Sequence, residues 1–512
     1  MTEQYKIFEV DLTGTSQGNP YVDIWLKAAF TNHTEQIEVN GFYCGNGMYK
    51  VRFMPAKTGT WTGITASNDP ALNHIELVFE CTPAKEGNHG RVLRMDEIRS
   101  RYKIGPSAED GRHSEHEALS EEDKFHFMYE DGTRYQPFGT TCYAWIHQSK
   151  KVQEETLASL KASCFNKVRM CIFPKFYTYN TADPACYAFE GNESDGFDFT
   201  RFHPEFWENL ENRIAQLDEL GIEADVILLH PYDKWGFSKM DRDTDAFYLK
   251  YAVDRLCHFK NVWWSLANEF DLLPWKTVED WEFYARVVIC RDSYGHLRSI
   301  HNCNKLYDHT RPWITHVSIQ RLDVYKTAEM VSAWREQYQK PIVVDECAYE
   351  GNINFGWGNI TGEEMTRRFW EGCIRGGYLS HGEVYVQNAQ IWWSHGGKLY
   401  GSSPDRIGFL KKVMEDVPLD AAPLKVTAEN HEANWDVPCL CKDDDHSFYL
   451  YYFGFFRPAF RTYQLPEGCT YEIELIDTWD MTIRKLPGSY SGSIKIDLPE
   501  KQYMALRMKK IG

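Results

Sequence analysis

From about residue 125 to residue 418 the chain alternates short apolar segments with amphipathic helices, and this alternation restricts it to βα units around a parallel sheet. The segments read as strands are YQPFGTT, KVRMCIF, EADVILLH, VWWSLAN, LRSIHN, WITHVS, PIVVDE and a weaker GGYLSHG. Between them, Phe206, Leu210, Ile214 and Leu217 share one helical face, with Pro204 in the first turn and Gly221 past the end. Eight such strands over about 290 residues predict a (β/α)8 TIM barrel.

The flanks read differently. Residues 1–92 give period-two segments such as YKIFEV, MYKVRFMP and HIELVFECTP, separated by Gly, Pro and Asn turns, which predicts an immunoglobulin-like antiparallel β-sandwich. Residues 93–124 are assigned to a linker, on the strength of the polar, acidic PSAEDGRHSEHEALSEEDK. Residues 425–512 return to short strands, SFYLYYFG, TYEIELIDTW and GSIKIDLP among them, and predict a second β-sandwich.

A formal charge of -18 disfavours nucleic-acid and anionic-membrane partners, since a polyanion would be repelled over most of the surface. The 14 cysteines form no CxxC pair, and MTEQYKIFEVDL shows no basic and then apolar leader, so the expectation is reduced thiols in a cytoplasmic protein. Homo-oligomerisation is compatible with this composition.

In a barrel of this kind the active site gathers at the C-terminal ends of the strands. Two of the strands end in glutamate: Glu269 follows VWWSLAN, and Glu346 closes PIVVDE 77 residues later. Three βα units of about 26 residues span that gap, which places Glu269 after strand 4 and Glu346 on strand 7. Two carboxylates facing across a cleft can divide the acid and nucleophile roles of glycoside hydrolysis. Different environments then have to keep one protonated and the other ionised. Asn268 supplies an amide suited to a sugar 2-hydroxyl. Trp145, Trp235, Trp275 and Trp357 fall in the βα loops, where an indole can stack on a sugar ring.

Asn268-Glu269 at the end of strand 4 and Glu346 at the end of strand 7 resemble the acid/base and nucleophile of clan A retaining glycoside hydrolases. The three-region layout is similar to endoglucanase-like and apiosidase-like bacterial proteins with an immunoglobulin-like domain before the barrel and a β-sandwich after it. The resemblance implies that Arg169, in KVRMCIF, holds the nucleophile. It also implies inward positions for His230 and His316, a sugar-binding floor from Trp392 or Trp393, a β-linked carbohydrate substrate and no cofactor. Arg169 and His316 together are expected to keep Glu346 ionised. One departure stands out: THVSIQ on strand 6 has no tyrosine where many clan members place one against the nucleophile.

Two other readings compete. His147, His230, His301, His316 and His381 all fall near strand ends, which suggests a metal-dependent hydrolase, but there is neither an HxH on strand 1 nor an HExxH helix. The second is a catalytically inactive carbohydrate-binding barrel, against which the joint presence of both glutamates, Asn268 and Arg169 argues. Cys142, Cys171, Cys303 and Cys347, near strand ends, are read as packing residues because no motif supplies a base for a thiol nucleophile.

Overall fold

A computed structural model describes residues 1–103, 120–386, 391–428, 430–442 and 444–512. Its centre is an eight-stranded parallel sheet curled into a nearly closed barrel. We number these strands β1 (Phe138–Thr141), β2 (Lys167–Cys171), β3 (Glu223–Leu229), β4 (Val262–Ala267), β5 (Arg298–Ser299), β6 (Val317–Gln320), β7 (Ile342–Glu346) and β8 (Tyr378–His381). They lie in the order β5-β4-β3-β2-β1-β8-β7-β6. Side chains bridge the remaining gap: Arg298 N–H donates to Thr315 Oγ1 at 2.7 Å, and Asn302 Nδ2 donates to the Gln320 carbonyl at 3.1 Å.

The helix Pro204–Glu219 shows why the outer ring forms. Proline opens it, where a missing N–H costs nothing, and Gly221 leaves it at φ 69. The stripe Phe206, Leu210, Ile214 and Leu217 is buried against the barrel.

Inside the barrel the strands carry charge. Lys167 Nζ lies 2.6 Å from Asp225 and 2.8 Å from Asp345, and Arg169 Nε is 3.5 Å from Asp225. Ser318 and Ser380 donate to Asp345 at 2.6 and 3.0 Å. All six side chains are buried. Despite that burial, Lys167 and Arg169 hold the Asp345 carboxyl well below the usual carboxylate range.

Below this layer, Phe127, Tyr135 and Val92 pack on Trp263, Leu297, Val343 and Tyr378 and plug the N-terminal end of the barrel. The plug comes from a small sheet of Val92–Arg94, Phe127–Tyr129 and Arg134–Tyr135. Residues 93–103 therefore do not behave as the expected linker. Met95–Lys103 is a helix whose Met95 and Ile98 pack on Met128, an apolar contact hidden by the polar residues around it. The motif HSEH at 113–116 lies outside the described residues.

The N-terminal region pairs a five-stranded sheet with a three-stranded one around Phe30, Val51, Phe53 and Trp61. The strand Gly59–Ser67 alternates buried and exposed residues along its length, as its period-two pattern predicts. Arg52 ties this sandwich to the barrel. It donates to Glu211 at 2.9 Å and to the Arg255 carbonyl at 2.9 Å, while Arg255 also donates to Glu211, at 2.5 Å. Against the cost of burial, the two guanidiniums hold Glu211 at about 2. At the other end, six- and two-stranded sheets enclose Tyr471, Ile473, Leu506 and Met508, and Tyr452 stacks on barrel Trp370 with ring centroids 5.4 Å apart.

Lys167→Met would leave two buried aspartates with Arg169 as the cation beside them. We expect a loss of about 3–5 kcal/mol, read as a lower urea midpoint by tryptophan fluorescence, with partial recovery in Lys167→Met/Asp225→Asn. An unchanged midpoint would remove the layer from the folding energetics.

Candidate active site

Two backbone irregularities aim the site. On β4 the chain leaves Ala267 into Asn268, and Glu269 then adopts φ 54, ψ 53, the left-handed region that a non-glycine residue seldom enters. That turn lets consecutive side chains meet: Asn268 Nδ2 donates to Glu269 Oε2 at 3.3 Å. On β7 the pairing with β6 slips between Ile319 and Gln320, so that Val344 and Glu346 are paired while Asp345 is the extra residue. The slip is a β-bulge in effect. It allows Asp345 to join the charged layer and Glu346, its neighbour, to reach the barrel mouth.

Tyr143, two residues beyond β1, joins these strand ends. Its hydroxyl donates to Glu346, lies 3.2 Å from Asn268 Oδ1, and accepts from Arg169 Nη1 at 3.2 Å. Arg169 Nη1 is 3.9 Å and His301 Nε2 4.0 Å from Glu346 Oε1. A tyrosine thus contacts Glu346 from the end of β1, while THVSIQ on strand 6 has none. Burial, and then the charge of Glu269, push the Glu346 carboxyl up to about 7, against the opposing pull of Lys175, Arg169 and the Tyr143 hydrogen bond. Across the mouth, burial and then the charge of Glu269 raise the Tyr232 hydroxyl. Burial, and then Glu269, push the Cys303 thiol up to about 12.

Other residues expected in the cleft divide into two groups. Trp393 belongs to it: the indole packs with Tyr143, Tyr177, Tyr349 and Trp357, and among the described residues its buried Nε1 has no hydrogen-bond partner. Trp392 does not. It donates to Thr140 Oγ1 at 2.8 Å within the barrel-helix core. Trp145 is likewise core, fully buried within the barrel-helix cluster rather than lining the mouth. Adjacent indoles in WW and an indole one residue from a loop carry no sequence mark of which way they turn.

His316 is a correction of register. The segment WITHVS suggested a strand ending near His316, but β6 begins at Val317, so His316 sits at the closed end of the barrel. Its ring packs edge-on against Phe127 and Trp263, with centroids 5.8 and 5.1 Å away. Burial lowers its pKa to about 3. It cannot orient Glu346 from there. His230, at the end of β3, shapes the loop that carries Tyr232: its Nε2 lies 3.1 Å from the Phe173 carbonyl, and the Tyr232 N–H donates to its Nδ1 at 3.2 Å.

Among the described residues, His, Cys, Asp and Glu side chains converge at metal-ligand spacing in one place, Glu350, His381 and Glu383. Donors already occupy both carboxylates. Ser402 and Ser403 N–H groups reach Glu350 at 2.7 and 3.1 Å, and those of Tyr400 and Gly401 reach Glu383 at 2.5 and 2.8 Å. This arrangement anchors the start of helix Ser403–Glu415 behind the Trp393 loop.

A parallel barrel whose mouth gathers two glutamates, an asparagine, an arginine-held tyrosine and an aromatic wall has the architecture of the (β/α)8 glycoside hydrolases. The chain belongs to the apiosidase-like family: residues 121–419 match its catalytic domain. It is a glycoside hydrolase. Residues 1–68 and 435–509 match two domains of unknown function, DUF5060 and DUF5605. A presumed glycoside hydrolase from Bacteroides vulgatus ATCC 8482 is 36% identical, with 100% of this chain and 99% of that one covered and a TM-score of 0.89. A family 5 glycoside hydrolase from the same organism shares the fold at 15% identity, with 76% of this chain and 92% of its own covered and a TM-score of 0.59. A search of curated proteins returns no match.

The folded Glu346 carboxyl, at about 7, lies above its ordinary 4.5, so the native state binds this proton more tightly than the unfolded chain does. Stability from this group is therefore fully present below about 4.5 and is lost as the pH rises to about 7. Glu346→Gln, which cannot ionise, should unfold at a higher temperature than wild type at pH ~8 and nearly with it at pH ~4. Calorimetry at both pH values checks this. Equal shifts at the two would contradict a raised carboxyl.

Proposed function

We propose that the protein is a retaining glycoside hydrolase that cleaves a β-linked glycoside or short oligosaccharide by double displacement. Glu346 attacks the anomeric carbon. Glu269 protonates the leaving oxygen and then removes a proton from the incoming water. The observation that carries this reading is the Tyr143 hydroxyl, which contacts Glu346 from β7 and Asn268 from the end of β4 at once. It supports the reading by joining the end of β7, which carries Glu346, to the end of β4, which carries Asn268 and Glu269.

Three neighbours favour the nucleophile's role for Glu346 against the burial and the Glu269 charge that hold its carboxyl up at about 7. Glu346 faces donors and cations: the Tyr143 hydroxyl, Arg169 and Lys175 all favour its ionised form. Glycosylation consumes that negative charge, forming the bond from Glu346 oxygen to the anomeric carbon as the bond to the leaving oxygen breaks. On this reading Asn268 hydrogen-bonds the neighbouring sugar hydroxyl, and Trp393 with Trp357 carries the apolar face of a ring. The family name makes apiosides an early choice in a screen of plant and bacterial glycosides with mass-spectrometric product detection.

On a substrate found in that screen, Glu346→Ala should abolish turnover while leaving the fold intact, and azide should restore cleavage with inverted product. Near-wild-type turnover would reassign the nucleophile. Glu269→Ala should behave differently with the leaving group. An activated aryl glycoside should give a burst of phenol and an azide-accelerated second phase, whereas a sugar leaving group should lose about 10²- to 10⁴-fold in the first step. Equal losses on both, with no burst, would leave Glu269 without an acid/base role.

A further inference from the structure

Lys175 lies four residues beyond β2, at the centre of the mouth, and is only 3% exposed. Its Nζ sits over three ring faces, 3.9 Å from the centroid of Tyr143, 4.2 Å from Tyr232 and 4.5 Å from Trp393. Among the described residues it has neither a carboxylate within ion-pair distance nor a hydrogen-bond acceptor for its three N–H groups. Glu269 and Glu346 are near enough to act on its charge, but neither is in contact with it.

An ammonium in this state is unusual, because a buried lysine ordinarily pairs or loses its proton. The aromatic faces compensate for part of its lost hydration. They contribute nothing to its directional N–H groups, which remain available to an oxygen entering the cleft.

The backbone holds the ammonium in place. The Lys175 carbonyl accepts from Asn180 Nδ2, Asn180 Oδ1 lies 2.8 Å from His395 Nε2, and the next residue, Phe176, donates its N–H to the Tyr232 carbonyl at 2.9 Å. The Asn180 and Tyr232 bonds tie the loops after β2 and β3, and His395 brings in the segment after Trp393. The charge is fixed before any ligand arrives.

We infer that Lys175 is the glycone-recognition residue of this site, donating charge-assisted hydrogen bonds to an oxygen of the sugar bound between Glu269 and Glu346. The inference rests on the glycosidase reading above and assigns the subsite that reading leaves open. The recognised oxygen belongs either to a ring hydroxyl or to the carboxylate of a uronic acid, and both accept from an ammonium. Lys175 also carries the positive charge facing both carboxylates. Its removal therefore affects the titration of the nucleophile as well as binding.

The test compares Lys175→Met, which keeps an unbranched apolar stem without the ammonium, with Lys175→Gln and wild type on the oligosaccharide found by product screening. The expected loss in kcat/KM is about 10- to 150-fold, the worth of a hydrogen bond to a charged group, accompanied by an upward move of the acidic limb of the pH profile. A side chain that merely fills space would leave that limb still. Loss confined to uronate glycones identifies the carboxylate as the partner; equal loss on neutral glycones identifies a hydroxyl. Calorimetry of Glu346→Gln, with and without Lys175→Met, on the same oligosaccharide panel reads binding apart from turnover. Binding that needs Lys175 without wild-type turnover overturns the hydrolase reading and keeps the subsite. Turnover and binding indifferent to both Lys175 variants overturn the subsite and keep the hydrolase. Absence of both turnover and binding across the panel overturns the two together.

Discussion

The structure depends on a layer of buried charge across the barrel. Lys167, Arg169, Asp225 and Asp345 come from β2, β3 and β7, and each pair stitches strands that are distant in sequence. Ion pairs of this kind add little stability over an apolar core, because taking the charges out of water costs about what their attraction returns. Their effect is on register. An apolar side chain can pack in several positions, but a lysine between two aspartates has one. The layer fixes the height of β2 against β7, and Glu346, the residue after Asp345, inherits that precision.

Electrostatics in the mouth follow from the same constraint. Arg169 reaches down to Asp225 and Asp345 and up to Tyr143, so its charge is shared between structure and site. Glu346 consequently faces a guanidinium already partly neutralised, and burial together with Glu269 outweighs it. Lys175 and Tyr143 oppose that rise alongside Arg169, so the balance at Glu346 is set by the groups that line the mouth around it.

The barrel was legible in the sequence because parallel strands buried on both faces leave continuous apolar runs, and eight of them recur between helices. The two glutamates were legible for a related reason: a charged residue ending an apolar run must meet the barrel mouth. Tyr143, Lys175, Tyr232 and His301 lie just past strand ends too, yet tyrosine, lysine and histidine are common in loops, and their convergence depends on backbone turns that no local pattern records. His316 was misplaced by four residues of strand β6, since Trp313–His316 looks as β-prone as Val317–Gln320. The direction of each indole in WW, and the helix concealed at Met95–Lys103, were settled by tertiary packing alone.

The bulge on β7 has a consequence for how this strand can vary. Because Asp345 and Glu346 occupy successive positions yet belong to different layers, the strand carries a floor residue and a mouth residue with no spacer between them. Moving the chain by one residue would not simply weaken the site. It would deliver an aspartate, one methylene shorter, to the mouth and withdraw the counter-ion of Lys167 from the floor. Variation in this protein is therefore channelled toward the loops, whose lengths can change while the indexing of β7 stays fixed.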